Sequence, residues 1–221
     1  MFTQYILDHP KRVIVCTLIA VAFVFAGAAR LTLTNDMRAY FSDDNPQLAA
    51  LDEIEAVFEK QDNALFLIVA REGDLFNRRS LTLLHELTTL GWQSPYSRRV
   101  DALANYQHTR AEGDELIVED LVSNPETLDA AQIQAIKTIA LNEPTLVNRV
   151  VSQDGRATGV YVALTFPDDN LDANDEVTEW AREALDAYRE RYPDHEIHLG
   201  GTALGNVSIG EAVERDLRTL V

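Results

Sequence analysis

The sequence predicts an α+β protein: one N-terminal transmembrane helix, then a ferredoxin-like split βαβ domain that carries a helical insert. Three observations predict it. An uncharged apolar run, Val13 to Ala29, follows the basic pair Lys11 and Arg12. Two strand–helix–strand patterns follow, over roughly residues 64–104 and 158–199. The stretch between them has helix start and stop signals of its own.

The apolar run, VIVCTLIAVAFVFAGAA, is 17 residues long. As a helix it spans about 26 Å, slightly less than a hydrocarbon core of about 30 Å. Leu31 and Leu33, or local thinning of the bilayer, make up the difference. Lys11 and Arg12 place the N-terminus in the cytoplasm and the chain after Arg30 outside it. Tyr5 and His9 fall at the interface. Ala26-Gly27-Ala28 offers a signal-peptidase alternative, but the run exceeds the usual apolar core of a signal peptide. The predicted location is the cell (inner) membrane, with the main domain periplasmic.

Asn45-Pro46 starts a helix, Asn as N-cap and Pro at the first position, with Leu48, Leu51, Ile54, Val57 and Phe58 as its apolar stripe. Ala64 to Ala70 is continuously apolar, as for a strand covered on both faces. Leu81, Leu84, Leu87 and Leu90 mark a helix that ends at Gly91, and a weaker strand follows over 99–104. Asn124-Pro125-Glu126 opens the insert helix, with Leu128, Ala131, Ile136 and Ile139 or Ala140 on its inner face; Asn142-Glu143-Pro144 stops it. Thr158 to Phe166 reads as a strand. Val177, Trp180, Ala181, Ala184, Leu185 and Tyr188 form a helical face, and Glu196 to Leu199 alternates as a half-buried strand. Val207 to Val221 is helical and grows more apolar towards its end, so a second membrane helix is expected at or past Leu220.

Composition excludes several functions. With 36 acidic against 19 basic residues the net charge is −17, and such a surface repels a phosphate backbone, so no nucleic acid is expected. Cys16 is the only cysteine and sits in the apolar run, which removes internal disulfides and cysteine metal sites. His9, His85, His108, His195 and His198 are scattered; on a strand, His195 and His198 face opposite sides, and no zinc motif is present. The segment Asp168 to Asn174, with Glu176 and Glu179, imitates a calcium loop, yet Ala173 stands where the sharp turn needs Gly. Those acids are better read as a helix start, with Asn174 or Asp175 as cap. Ser208 lacks the upstream Gly of a nucleophile elbow, and no glycine cluster makes a phosphate loop. Trp92 and Trp180 read as core or interface aromatics. Asp36, Asp43 and Asp44 read as a solvated acidic connector. No catalytic, cofactor-binding or metal-binding residue is predicted, no cofactor is expected, and the chain is not expected to be an enzyme.

The pieces in order resemble the N-terminal segment of a transporter of the resistance-nodulation-division (RND) superfamily, on its MMPL-like or predicted-exporter branch. They are the basic N-terminus, Asn35 to Phe41, Asp62-Asn63, Asn142 to Val147 with Ser152 to Gly155, and Gly200-Gly201-Thr202. The resemblance implies the first membrane helix and first extracytoplasmic, porter-type loop of a proton-motive-force-driven exporter of lipids or other hydrophobic molecules. Its expected partners are the bilayer, the remaining membrane helices, a second porter loop and a hydrophobic substrate, and a homo-oligomer is compatible with it. Acidic relay residues of such families lie in later helices, so none is assigned to this sequence. The layout is a cytoplasmic segment 1–12, a transmembrane helix 13–33, a porter-like domain 34–205 with its insert at about 106–151, and a helix 206–221 leading towards a second span. The alternative is a single-pass, membrane-anchored binding or adaptor domain.

Overall fold

The computed structural model describes residues 10–28, 42, 45–57, 62–167, 170 and 172–219. It divides into two units, Met1–Ser42 and Asp43–Val221. In the first, the apolar run forms helix α1, Pro10–Ala28. Pro10 occupies the first helical position, where its missing N–H costs nothing. The large side chains Ile14, Val15, Leu18, Ile19, Val21 and Phe23 are all exposed, Phe23 by 79%. Among the described residues no helix is long and apolar enough to cross a membrane. Residues 29–33, counted in the expected span, lie outside the described residues, as do Tyr5, His9, Asn35 to Phe41, Asp43, Asp44 and Leu220.

The second unit is α+β. Its main sheet has strands β1 (Asn63–Ala70), β2 (Ser97–Ala102), β5 (Ala157–Leu164) and β6 (His195–Gly200), in the order β2-β5-β1-β6. Every pairing is antiparallel. Helix α3 (Arg78–Gly91) connects β1 to β2, and α5 (Ala173–Arg191) connects β5 to β6. Each strand–helix–strand unit therefore has a strand of the other unit between its own two strands.

Both connecting helices cover one face of the sheet. Ala64, Phe66, Ile68 and Ala70 of β1 are buried there, and Val160 and Val162 of β5 with them. Leu81, Leu84 and Leu87 of α3 and Val177, Ala181 and Leu185 of α5 complete this core. Burying a side chain such as Phe66 is worth about 1.5–3 kcal/mol. Trp180 meets Phe66 edge-on at 6.2 Å between centroids. Gly91 ends α3 where a Cβ would come within 3.0 Å of Val162 and 3.2 Å of Val100, so a side chain there would have to push these valines aside for the helix end to lie this close to the sheet. At the other end, Gly201 has φ +102 and sits against the carbonyl of Asn63. Thr202 Oγ1 accepts the Asn63 N–H at 2.9 Å, which ties the start of the last helix, α6 (Thr202–Thr219), to the start of β1.

Several expectations need correction. β1 is covered on one face only: Leu65 and Val69 are half-buried and Leu67 is 36% exposed, because both crossover helices pack on the same side. The insert is not simply helical. Strands β3 (Gln107–Glu112) and β4 (Glu115–Asp120) form an exposed hairpin, turned at Gly113 with φ +63, before helix α4 (Ala130–Asn142) begins. Nor does α4 start at Asn124-Pro125, which form a short 3-10 turn; Asp129 and Gln132 make a capping box instead. Ile136 and Ala140 of α4 are buried as expected, while Ala131 is exposed. Finally, helix α2 (Pro46–Val57) is capped by Asn45, whose side chain accepts the Gln47 N–H, but Leu51 and Ile54 of its stripe are exposed. The α5 cap also differs, since Asp172 holds that position without a side-chain bond.

Candidate functional site

Three places in the second unit are built for contact. The first is the open face of the sheet. Pairing of Leu65 with Tyr161 and of Leu67 with Gly159 places apolar groups side by side at its centre. Gly159 has no side chain, and a Cβ there would touch Leu65 at 3.1 Å. Charged and polar groups border this strip: Glu196 and His198 on β6, Arg99 and Asp101 on β2. An apolar strip with a polar rim suits a hydrophobic molecule or an apolar protein surface.

The second is a pocket of about 360 Å³ at the N-terminus of α3, lined by Ala70, Arg71, Glu72, Asn77, Ser80, Asp194 and His195. Asn77 caps the helix, accepting the Ser80 N–H at 2.9 Å and donating from Nδ2 to Ser80 Oγ at 2.8 Å. The Ser80 hydroxyl also shares a hydrogen bond of 2.7 Å with His195 Nε2, its direction set by the tautomer of the ring. Ser80 is 2% exposed and His195 5%. Nδ1 lies 3.3 Å from Asp194 Oδ1 but makes no hydrogen bond to it or to any other group. Asp194 is turned towards Arg79, whose Nε donates to both carboxylate oxygens at 3.0 and 3.1 Å. Burial pushes the Asp194 carboxyl up, but the Arg79 bonds, its own backbone N–H and nearby positive charge together hold it below the usual range. The three residue types are those of a nucleophile, a base and an orienting acid, but here the acid serves an arginine. What the cluster does in this geometry is clasp α3 to β6.

The third is a groove of about 400 Å³ between α5 and α6, lined by Asp175, Thr178, Glu179, Arg182, Glu183, Asp186, Val207 and Glu211. Arg182 crosses it and binds Glu211 through two hydrogen bonds of 2.6 and 3.0 Å. That pairing holds the Glu211 carboxyl below its ordinary range and makes the guanidinium still harder to deprotonate.

None of the three was anticipated from the sequence. His195 and His198 do face opposite sides, His195 buried and His198 exposed. In the segment resembling a calcium loop, Asp168, Asp169 and Leu171 lie outside the described residues. Its Glu176 is already engaged by the Tyr96 hydroxyl at 2.6 Å and by Asn170. Among the described residues no group of three or more His, Cys, Asp or Glu converges to hold a metal ion. Trp180 packs against the core, whereas Trp92 is 53% exposed. Cys16 is exposed on α1.

No protein-family model matches this chain, and no curated protein matches it in sequence.

Proposed function

We propose that this chain is the first membrane helix and first extracytoplasmic loop of a proton-motive-force-driven exporter of the RND/MMPL type, and that residues 62–200 form a ferredoxin-like, porter-type domain. The observation that carries the reading is the strand order β2-β5-β1-β6 with two crossover helices on one face, because it leaves the other sheet face, with Leu65, Leu67 and Tyr161, uncovered by them. That order is the one a split βαβ arrangement requires, and it supports the reading. Helix α1 supports the membrane part of the reading. Large apolar side chains are exposed around it, and a helix apolar all round is stable in lipid or in a core. Val13 to Ala28 alone gives about 24 Å of apolar helix, so the reading needs the residues up to Leu33 to reach the far interface.

A hydrophobic or lipid molecule would pass along the strip of Leu65, Leu67, Val69 and Tyr161, in a direction set by later membrane helices. The proposed location is the inner membrane, with the N-terminus cytoplasmic. A periplasm-active reporter fused after residue 60, followed by alkaline carbonate extraction of the membranes, tests the topology. Reporter activity with retention in the pellet is expected. Release by carbonate, or a silent reporter at residue 60, overturns the membrane reading. The alternative, an anchored binding or adaptor domain, predicts the same topology but no apolar span encoded beyond the Val221 codon, and sequencing the gene distinguishes the two.

A further inference from the structure

We infer that the contact of Tyr96 with Glu176 is a strained latch, from which the start of α5 opens locally while the rest of the fold stays closed. The latch joins the turn before β2 to the first turn of α5, at the sheet end where β1 begins and β6 ends. The Tyr96 hydroxyl donates to Glu176 Oε2 at 2.6 Å and accepts from Asn170 Nδ2 at 2.8 Å. Its ring meets Phe166 edge-on at 5.6 Å between centroids, and its carbonyl accepts the Thr165 N–H at 3.0 Å. The bond to the carboxylate is charge-assisted, so it holds the Glu176 carboxyl below its ordinary range and the Tyr96 hydroxyl above its own. These contacts hold a backbone that opposes them. Tyr96 has φ +60, in the left-handed region. Asn124 and Asn148 are the other non-glycine residues there among those described, and asparagine tolerates it. A bulky aromatic residue is held there only by its surroundings.

A second observation, independent of the dihedral angle, falls on the same two segments. Among the described residues four buried side-chain atoms lack a hydrogen-bond partner. Three of them, Ser97 Oγ, Asn174 Oδ1 and Thr178 Oγ1, lie within two residues of Tyr96 or Glu176. A buried polar atom left unpaired costs free energy that water returns when the site opens. The pairing of β2 with β5 also shifts register between Ser97 and Arg99, directly after the tyrosine. The closed state therefore stores backbone strain and unmet polar groups around one exposed hydrogen bond, and breaking that bond relieves both. The far end of α5 is pinned. There Arg189 donates to the Ile197 carbonyl at 2.9 and 3.1 Å, and the Tyr192 hydroxyl donates to Glu86 at 3.2 Å. Val177, Ala181 and Leu185 hold the middle of the helix in the core. Opening is thus confined to the first turn of α5 and the chain leading into it, moving against the turn before β2.

This inference goes beyond the transport reading and stands whether or not the chain spans a membrane. Amide hydrogen exchange of the full chain in neutral detergent, resolved residue by residue by NMR, tests it. The Thr165 amide, bonded to the Tyr96 carbonyl, reports the latch; the amides of β1, which has a neighbouring strand on each side, report global unfolding. In the wild type Thr165 should exchange about a hundredfold faster than β1. Tyr96→Phe removes the hydroxyl, keeps the ring and should speed Thr165 about tenfold further. Glu176→Ala should do the same, and the two together no more than either alone. Tyr96→Gly should protect Thr165 about threefold better than Tyr96→Ala, because both lose the ring and only glycine accepts this φ without strain. Ser80→Ala, at the opposite end of the sheet, should change Thr165 exchange relative to wild type by less than about twofold. Equal exchange at Thr165 and β1, no response to Tyr96→Phe, additive effects of the two latch variants, better protection with alanine than with glycine, or a Ser80→Ala effect as large as that of Tyr96→Phe overturns the latch.

Discussion

At the scale of single residues, the clasp of Asn77, Ser80 and His195 joins positions 115 apart in sequence through a hydrogen bond of 2.7 Å. Removing the hydroxyl leaves His195 Nε2 without its hydrogen-bond partner inside the core. Ser80→Ala should therefore cost about 1–3 kcal/mol of stability. Urea denaturation read by circular dichroism measures it, and a midpoint unchanged from wild type would show that the clasp contributes nothing. The sequence carried part of this feature. The stripe of Leu81, Leu84, Leu87 and Leu90 marks α3, while its cap, Asn77, shows only in the structure. The histidine partner was unreadable, because nothing local in Asp194-His195-Glu196 encodes which helix end will face that strand. Thr178 was equally hidden: its spacing fits the buried face of α5, and only the structure shows a hydroxyl that bonds to nothing.

Among the elements, the insert shows where local signals fail. Leu116 and Val118 are exposed, and β3 and β4 bury almost nothing. A hairpin of this kind is held by its own ladder and by its base, where Leu121 and Val122 donate to the carbonyls of Tyr106 and Ala104. Replacing residues 107–120 by a short Gly-Ser turn should then leave the thermal midpoint nearly unchanged, whereas Ile136→Ala on α4 should cost about 2–5 kcal/mol. A large loss on removing the hairpin would mean that it packs where the structure leaves it open. The sequence missed this hairpin because its strands are polar, with Glu112, Glu115, Glu119 and Asp120 among them, and show no strand period. It placed the start of α4 too early because Asn-Pro is a start signal for a 3-10 turn as well as for an α-helix.

For the molecule as a whole, several carboxyls are held below their ordinary range by partners in the fold. The Tyr96 hydroxyl does this for Glu176, Thr145 for Glu143, Ser152 for Asp154, and Arg182 for Glu211. A folded-state pKa below the unfolded value stabilises the fold above the unfolded carboxyl range and loses that contribution as pH falls through the folded values. The thermal midpoint should therefore drop on acidification below about pH 4. Melting curves at successive pH values check this, and a midpoint constant from pH 6 to pH 3 would contradict it.

The sequence by itself determined the α1 run, the existence and approximate limits of all four sheet strands, and the apolar faces of α3 and α5. These are set by local periodicity and by residues acting on their own backbone. Only the tertiary structure decided that β1 has one open face, that Ser80 meets His195, that the insert begins as a hairpin, and that acids of α5 share a groove with α6. Such facts depend on which side of the sheet two crossover helices choose and on contacts between distant residues, and no local pattern of side chains records either.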